Sequence, residues 1–504
     1  MRRALAPAWA ALALACTDPD PGRLLAAGAG RGIAVAPGGG AVAFLVDARH
    51  PDDRGVPDDL LAGDLYLASG DEPARRVGGG VSSGTGAYAF SSGGTALAFL
   101  GGYRFRAGAG ELYAASLTGA PQKLADDAHA FAWAPQGERL AWAAADRLWV
   151  LDAPGAPPRP LVDGAWTFAW SPDGRRLAVR GPSTAGARLL LVDAASGERR
   201  AVAEGVTDFA FGADGTLAAL GPPGPRGGDR PLWVLEPGAA GPRAAGRATS
   251  FVLAPGGDVL ASSTEKAPGE ATGDLFRLPP GGGEPRLLGV KSVDVRCTPA
   301  GDVLFLGRYD VKARAGVLTL ARAAGPVREI AARVQGFLVG PRGERVFYLV
   351  QKPLKGDFKF ELWAADLRDG APTPRKIDQG VYGYEPSPDG ALLYWRARCG
   401  LGPRSCSLFR GPADGSGPGV ELAKDVAGFD LSGDGARLLL GAPHRGSSRA
   451  VDLSWISAAT PPGKARPIAA EVDPSARFLD GAGKRAVFAR LTRGKAAVFI
   501  AELR

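Results

Sequence analysis

A short segment recurs along almost the whole chain, and this recurrence constrains the fold more than any other feature. Its clearest copy, residues 168–179, reads Phe-Ala-Trp-Ser-Pro-Asp-Gly-Arg-Arg-Leu-Ala-Val. Ten further copies share the apolar start and the Gly-containing turn, and they begin at Ile33, Tyr88, Phe131, Phe209, Phe251, Val295, Phe337, Tyr384, Phe429 and Phe478. Their spacing, mostly about 43 residues, is typical of chains built from one repeated supersecondary unit.

Each copy carries the signals of four short antiparallel strands. In the first strand, Phe168 and Trp170 point to the same face and are predicted to be buried. Residues 172–174, Pro-Asp-Gly, supply a tight reversal. Two further apolar runs, at 189–193 and 199–202, supply the third and fourth strands. Because no helical periodicity intervenes, the sequence predicts an all-β chain, a β-propeller of about eleven four-stranded blades.

The Ser-Pro-Asp-Gly turn after an aromatic strand resembles the repeat of TolB-type propellers, a WD40-like family. It is also similar to the propeller repeat of prolyl oligopeptidase-like peptidases. The resemblance covers nearly everything after residue 30 and implies the fold without fixing the function. The turn aspartate varies between copies, so we interpret the turns as structural. It is present as Asp173, Asp214, Asp389 and Asp434, and is replaced by Gln136, Arg342 or Gly256 elsewhere.

Eleven blades exceed the four to eight of a usual ring. We therefore predict two propellers, residues 31–245 and 246–504, after a segment at 17–30 that contains a tether. The last copy supplies only three strands, and residues 22–27 offer a possible fourth. That closure joins the two ends of the chain and instead suits one large ring, or one propeller inserted into another. The sequence leaves these alternatives open.

Residues 1–16 have the pattern of an export signal. Arg2 and Arg3 precede a short run of Ala and Leu, which is too short to span a membrane, and small residues precede Cys16. This layout resembles a bacterial lipoprotein signal, which implies a lipid on Cys16. Ala13 stands where the usual motif prefers Leu. We expect an exported, lipid-anchored protein on the periplasmic side of the outer membrane or at the cell surface.

The remaining cysteines fit an oxidising compartment. Cys399 and Cys406 flank a turn-rich loop, which predicts a local disulfide, with two reduced thiols as the alternative. Cys297 aligns with the Trp of the repeat and is interpreted as a small buried residue. No Cys/His spacing indicates zinc.

The search for catalytic patterns finds none. No Gly-x-Ser-x-Gly elbow is present, and His50, His129 and His444 fall in different blades. Five acidic residues in one loop have carboxylates suited to calcium but lack the spacing of a calcium loop, and we interpret them as solvated. They are Asp52, Asp53, Asp58, Asp59 and Asp64. We expect no cofactor, no metal and no enzymatic activity.

The connections between second and third strands vary most in length and emerge on one face of a propeller. Loops on a rigid scaffold usually carry function. Several contain basic or aromatic residues, which we propose as a partner-binding face: Arg104, Arg308, Tyr309, Lys352, Lys355, Arg396, Arg398, His444 and Arg445. The alternative is ordinary solvated loop charge, consistent with a net charge of +8 spread over a large surface.

These observations predict a non-enzymatic, envelope-associated propeller that binds or scaffolds a protein or an anionic envelope component. No run of basic residues indicates nucleic acid. The alternative is a propeller-type enzyme, a lyase or glycosidase acting on a polymer. Convergent, desolvated carboxylates at the ring centre would favour the enzyme, and a smooth apolar or basic mouth would favour binding.

Overall fold

A computed structural model describes residues 22–503, apart from short segments at 52–55, 58–59, 184–185, 225–227, 265–271, 324, 355–356, 369, 371, 401–404, 446, 448–449, 460–462 and 492–495. In this part of the chain every regular element is a β-strand. The predicted all-β class is therefore confirmed.

The first half of the chain forms five complete blades and begins a sixth. One strand precedes blade one, β1 (Arg23–Ala27). Blade one contains β2 (Gly30–Val35), β3 (Ala41–Arg49), β4 (Ala62–Ser69) and β5 (Arg75–Ser82). Blades two and three share their middle strand and contain β6 (Tyr88–Phe90), β7 (Ala96–Arg104), β8 (Ala109–Ser116), β9 (Gln122–Trp133), β10 (Leu140–Ala144), β11 (Arg147–Leu151) and β12 (Arg159–Asp163). Blade four contains β13 (Thr167–Trp170), β14 (Arg176–Ser183), β15 (Gly186–Asp193) and β16 (Arg199–Glu204). Blade five contains β17 (Asp208–Phe211), β18 (Leu217–Leu220), β19 (Arg230–Leu235) and β20 (Arg243–Ala248).

The second half continues in the same way. Blades six to eight share strands where they meet and contain β21 (Ser250–Leu253), β22 (Val259–Ser263), β23 (Gly273–Leu278), β24 (Arg286–Cys297), β25 (Val303–Asp310), β26 (Ala315–Ala321), β27 (Arg328–Val339), β28 (Arg345–Leu354), β29 (Asp357–Asp366) and β30 (Pro374–Gln379). Blade nine contains β31 (Val381–Pro386), β32 (Leu392–Ala397), β33 (Cys406–Pro412) and β34 (Val420–Val426). Blade ten contains β35 (Gly428–Leu431), β36 (Arg437–Pro443), β37 (Val451–Ser457) and β38 (Arg466–Val472). Blade eleven contains β39 (Arg477–Phe478), β40 (Arg485–Arg490) and β41 (Ala497–Glu502).

Within a blade, successive strands pair antiparallel in chain order. The first, or inner, strand carries the aromatic residue of the repeat. The long strands β9, β24 and β27 each serve as the outer strand of one blade and the inner strand of the next. The described residues thus form eleven blades, and the predicted β-propeller is confirmed.

The last blade obtains its fourth strand from the start of the ring. β1 pairs antiparallel with β41, with Arg23 opposite Ile500 and Ala27 opposite Ala497. This is the closing strand that residues 22–27 were expected to provide. Leu25 is 5% exposed and packs in one apolar cluster with Phe44 of blade one and Val487 of blade eleven.

Apolar clusters join neighbouring blades, including the pair on either side of residue 245. Leu232 and Ala248 of blade five pack in one cluster with Val259 of blade six. The cluster around Leu25 joins blade eleven to blade one in the same manner. The division into two propellers at residue 245 stays a prediction, and this packing favours its alternative, one large ring.

Arginines also tie each blade to the next through backbone carbonyls. The guanidinium of Arg200 donates to Ala239 O at 2.7 Å, and that of Arg243 donates to Pro279 O at 3.1 Å. Arg23 of the closing strand donates to Gly70 O of blade one at 2.9 Å. Since these cations bond to neutral carbonyls, much of the basic excess in the composition holds the ring together.

The turn aspartates act within their own turns, as predicted. Asp173 accepts hydrogen bonds from the Ser171 hydroxyl at 2.5 Å and from the backbone N–H of Arg175 at 3.0 Å. Asp389 accepts the two equivalent hydrogen bonds, from the Ser387 hydroxyl and from the backbone N–H of Ala391. These bonds fix the tight reversal that connects the inner strand to the second strand.

Candidate functional site

The second residue of the inner strand differs in charge between blades. In blades one to five this residue is alanine: Ala34, Ala89, Ala132, Ala169 and Ala210. In blades six to eight it is Val252, Arg296 and Leu338. In blades nine and ten it is acidic, Glu385 on β31 and Asp430 on β35. The two acidic residues therefore follow one another in neighbouring blades.

Burial raises the pKa of both carboxyls above their ordinary values. Desolvation is the main cause at Asp430, only partly offset by the nearby Arg477 guanidinium and by the Phe478 N–H, which donates to Asp430 Oδ2 at 3.5 Å. Desolvation also raises the pKa of Glu385, and the charge of Asp430 raises it further. Glu385 is nonetheless exposed to solvent. The two carboxylates are therefore electrostatically coupled.

A cavity of about 300 Å³ opens beside Asp430, between blades ten and eleven. Its polar rim is formed by Asp430 and Arg477, and its apolar wall includes Leu439, Val451 and Leu453. In the neighbouring blade nine, at the start of β31, Tyr382 is 50% exposed. We call Tyr382, Glu385, Asp430, Arg477 and this cavity the acidic arc. It combines an exposed ring, two carboxylates, one cation and an apolar recess, which is the composition of many ligand sites.

A second cavity, of about 540 Å³, lies at the corresponding place between blades six and seven. Hydroxyl-bearing side chains line it, among them Thr249, Ser262 and Ser292, together with Asp294. The Asp294 carboxylate is paired with Arg296 at 2.9 Å. Because this acid already has a cation, the second cavity lacks the charge imbalance of the acidic arc.

Three cations of the predicted basic face form ion pairs within single blades. Arg104 pairs with Asp127. Arg308 pairs with Glu329 at 2.7 Å, and Lys352 lies 3.6 Å from Glu361. Both partners are exposed in the Arg104 and Arg308 pairs, so these two pairs add little stability, whereas the Glu361 side chain is only 12% exposed. The three pairs do, however, cancel the positive charge that an anionic partner would need.

The other residues of the proposed face differ in burial and in the groups that they contact. Arg396 is half-buried and donates to the carbonyl of Ala427, so it joins blades nine and ten. The Arg398 guanidinium lies 4.5 Å from the centre of the Phe409 ring. His444 Nδ1 is 2.6 Å from Asp452 Oδ1, and Tyr309 is partly buried against the core of blades seven and eight. Arg445 is exposed. Lys355 lies outside the described residues.

The disulfide and acidic-loop expectations have different outcomes. Cys399 and Cys406 are joined in a disulfide, as predicted, and Cys297 is a partly buried thiol whose pKa is raised by desolvation. Of the acidic loop, only Asp64 falls within the described residues, where it pairs with Arg76 at 2.8 Å. Asp52, Asp53, Asp58, Asp59 and Cys16 fall outside them. Among the residues described, no group of three potential metal ligands is found. Nor does this part of the chain contain a helix long and apolar enough to cross a membrane.

Comparisons with solved structures find similar folds at low identity. A crystallised eukaryotic initiation factor has a TM-score of 0.42 and 14% identity, over 71% of this chain and 93% of that one. Dipeptidyl peptidase 4 of Porphyromonas gingivalis has a TM-score of 0.40 and 10% identity, over 76% and 66%. TolB from Acinetobacter baumannii has a TM-score of 0.24 and 14% identity, over 53% and 57%. The chain shares the propeller fold. No family model and no curated protein matches it.

The expectation that the chain is not an enzyme is wrong by this comparison. The similar structures are mostly enzymes, including the tricorn protease, prolyl endopeptidases, an acylaminoacyl peptidase and an oligogalacturonate lyase. At these identities they assign no reaction to this chain. Glu385 and Asp430 lie on the inner strands of two neighbouring blades, so no local motif in the sequence marks them as a pair.

Two aspartates of blade ten should respond oppositely to replacement by asparagine. Asp430 has a raised pKa, so its charge opposes folding at neutral pH. We expect Asp430→Asn to be more stable than the parent at pH 7, with the gain fading as pH falls below the folded pKa.

Asp434 is the matched control. Burial raises its pKa, but hydrogen bonds from Ser432 and Ala436 outweigh this effect and leave the pKa lowered. Asp434→Asn should therefore lose stability at pH 7, with the loss vanishing as pH falls through that lowered pKa. Thermal unfolding between pH 3 and 7 measures both. Parallel behaviour of the two variants would contradict the assignment.

Proposed function

We propose that this protein is a cell-envelope propeller that binds a protein partner at the acidic arc. The observation that carries the proposal is the imbalance of charge there: Asp430 and Arg477 line an apolar cavity, and Glu385, which interacts with Asp430, adds a second carboxylate. Such a surface complements a basic, partly apolar segment of a protein. The exposed ring of Tyr382 adds the kind of side chain that is enriched at interfaces.

The same charges argue for a protein over an anionic envelope component. An anionic polymer would meet two carboxylates in the arc, while three cations of the loop face are paired with Asp127, Glu329 and Glu361. The preferred site therefore moves from the loops to the inner strands.

We further propose export and lipid attachment through Cys16. The support is the pattern of residues 1–16 together with the Cys399–Cys406 disulfide, which persists in oxidising compartments. Mass spectrometry of the protein isolated from membranes tests the lipid directly.

The experiment for partner binding is site-specific photo-crosslinking in the native envelope. A photoreactive phenylalanine analogue replaces Tyr382 at the arc or, as the control, Val311, which is 57% exposed on a hairpin of blade seven. We expect a discrete protein adduct from position 382 only, and its loss when Glu385→Lys is added. An adduct from position 311 alone, or none from 382, would overturn the proposal.

The raised pKa values also favour a second candidate, a propeller enzyme acting on a polymer. Two coupled carboxyls whose protonation lies closer to neutrality are suited to general acid–base chemistry, as in glycoside hydrolysis or lyase reactions. Incubation with envelope and plant-type polysaccharides, followed by analysis of reducing ends and unsaturated products, tests this. Cleavage that disappears in Glu385→Gln supports it, and uncleaved substrates with the parent protein exclude it for the polymers used.

A further inference from the structure

In two blades, one position in the second strand carries an arginine that joins the starts of neighbouring inner strands. Arg180 of β14 pairs with Thr167, and Arg396 of β32 pairs with Gly383, so the two arginines are structurally equivalent. Each guanidinium donates to a carbonyl at the start of the next blade's inner strand, Thr207 O for Arg180 and Ala427 O for Arg396. In blades four and nine this position therefore holds an arginine that spans the gap between blades.

In blade ten the equivalent residue has no side chain. Gly441 of β36 pairs with Gly428, as Arg396 pairs with Gly383. A Cβ placed on Gly383 would lie 3.4 Å from Nη2 of Arg396, whereas one placed on Gly428 meets nothing within 4 Å. The space beside Gly428 is thus open and forms part of the 300 Å³ cavity, although a Cβ on Gly441 itself would lie 3.2 Å from Cγ2 of Val451.

The charge of the cavity also matches a missing cation. Asp430 and Arg477 line the cavity with one charge of each sign, and Glu385, which lies outside the lining but interacts electrostatically with Asp430, adds a second negative charge. The Arg477 guanidinium is partly directed away from the carboxylates, because its Nη1 donates to Ala476 O at 2.8 Å. One uncompensated negative charge remains beside a space shaped for a guanidinium.

We propose that the cavity between blades ten and eleven is a socket for one arginine side chain of the partner protein. The inference rests on the proposed partner binding and names the chemical group that is recognised. The apolar wall of Leu439, Val451 and Leu453 suits the methylene stem of arginine, and Asp430 accepts from its guanidinium. A partner arginine thereby takes the place that Arg180 and Arg396 take within the chain.

The test uses a blocked amino acid with the full-length exported protein. N-acetyl-arginine N-methylamide is titrated at low salt and followed by calorimetry or by ligand-observed NMR. The neutral isostere N-acetyl-citrulline N-methylamide and the apolar N-acetyl-leucine N-methylamide serve as comparison probes. We expect the arginine probe to bind at least about tenfold more tightly than either, since a charge-assisted pair forms only with arginine.

Three variants locate the binding. Gly441→Arg fills the socket from within and should abolish binding, and Asp430→Asn should weaken it by at least about tenfold. Asp294→Asn removes the carboxylate of the corresponding cavity between blades six and seven and should leave binding unchanged. If Gly441→Arg does not fold, Asp430→Asn and the citrulline probe still decide the question.

The failing results are distinct from those of the proposed function. Equal binding of the arginine and citrulline probes, equal or tighter binding of the leucine probe, or no detectable arginine binding would overturn the socket. If Asp294→Asn weakened binding of the arginine probe and Asp430→Asn did not, the probe would occupy the cavity between blades six and seven. That result would also overturn the socket. A partner adduct from position 382 that persists in Gly441→Arg would leave partner binding intact and refute the socket.

Discussion

Replacing Trp395 with alanine should cost about 3–5 kcal/mol of folding free energy, the range for removing a large aromatic side chain from a core. Trp395 is 1% exposed, stacks on Phe409 with ring centres 5.8 Å apart, and donates from Nε1 to Asp378 Oδ2 at 2.7 Å. The variant leaves a void where the indole was and leaves Asp378 without this donor. Chemical denaturation measures the loss.

The matched control makes the same chemical change at an exposed site. Trp166 is 43% exposed, so Trp166→Ala should change stability by less than about 1 kcal/mol. Gly419 offers a check on the geometry, because a Cβ there would lie 2.3 Å from Cζ2 of Trp395. Gly419→Ala should destabilise the parent and should be tolerated better in Trp395→Ala. Equal losses from Trp395→Ala and Trp166→Ala would contradict the described core.

The second large effect is expected at the closing strand. Leu25→Asp should cost at least about 3 kcal/mol, because it removes a buried apolar side chain and places a carboxylate among Phe44, Val46 and Val487. Loss of β1 would also leave β41 with an unpaired edge, which promotes association between molecules. Denaturation and size-exclusion chromatography together measure both consequences.

Leu24 provides the control in the adjacent position. Its side chain is 53% exposed, so Leu24→Asp should change stability by no more than about 0.5 kcal/mol. The oligomeric state should be the same as that of the parent. If both substitutions were harmless, the pairing of β1 with β41 would not close the ring in solution.

The repeat allowed the fold to be predicted because its signals are local. Alternation along residues 384–386 and the turn chemistry of residues 387–390 specify one hairpin wherever they recur. The number of blades in a ring depends instead on the angle between neighbouring blades. That angle is set by side chains packed across whole interfaces, such as Leu232 against Val259, which are distant in sequence.

The candidate site was harder to predict from the sequence than the fold, because its residues meet through long-range packing. The charges of Arg104 and Arg308 were visible in the sequence, but their partners Asp127 and Glu329 come from the outer strand of the same blade, about twenty residues later. Glu385 and Asp430 were visible as exceptions to the alanine at the second position of the repeat. Their coupling, however, depends on blades nine and ten being adjacent. Gly441 lacks the arginine side chain found at the equivalent position in blades four and nine. This difference can be recognised only from the strand register, which aligns Gly441 with Arg180 and Arg396.

The pairing of β1 with β41 also has a consequence for biogenesis. The segment that completes the last blade is the first part of the ring to leave the ribosome, and its partner, residues 497–502, is the last. No partial chain can therefore form this contact, and its sequence separation is nearly the largest among the described residues, which slows folding. Until residue 502 is available, both edges remain open to other chains. Chaperone protection would matter most in that interval.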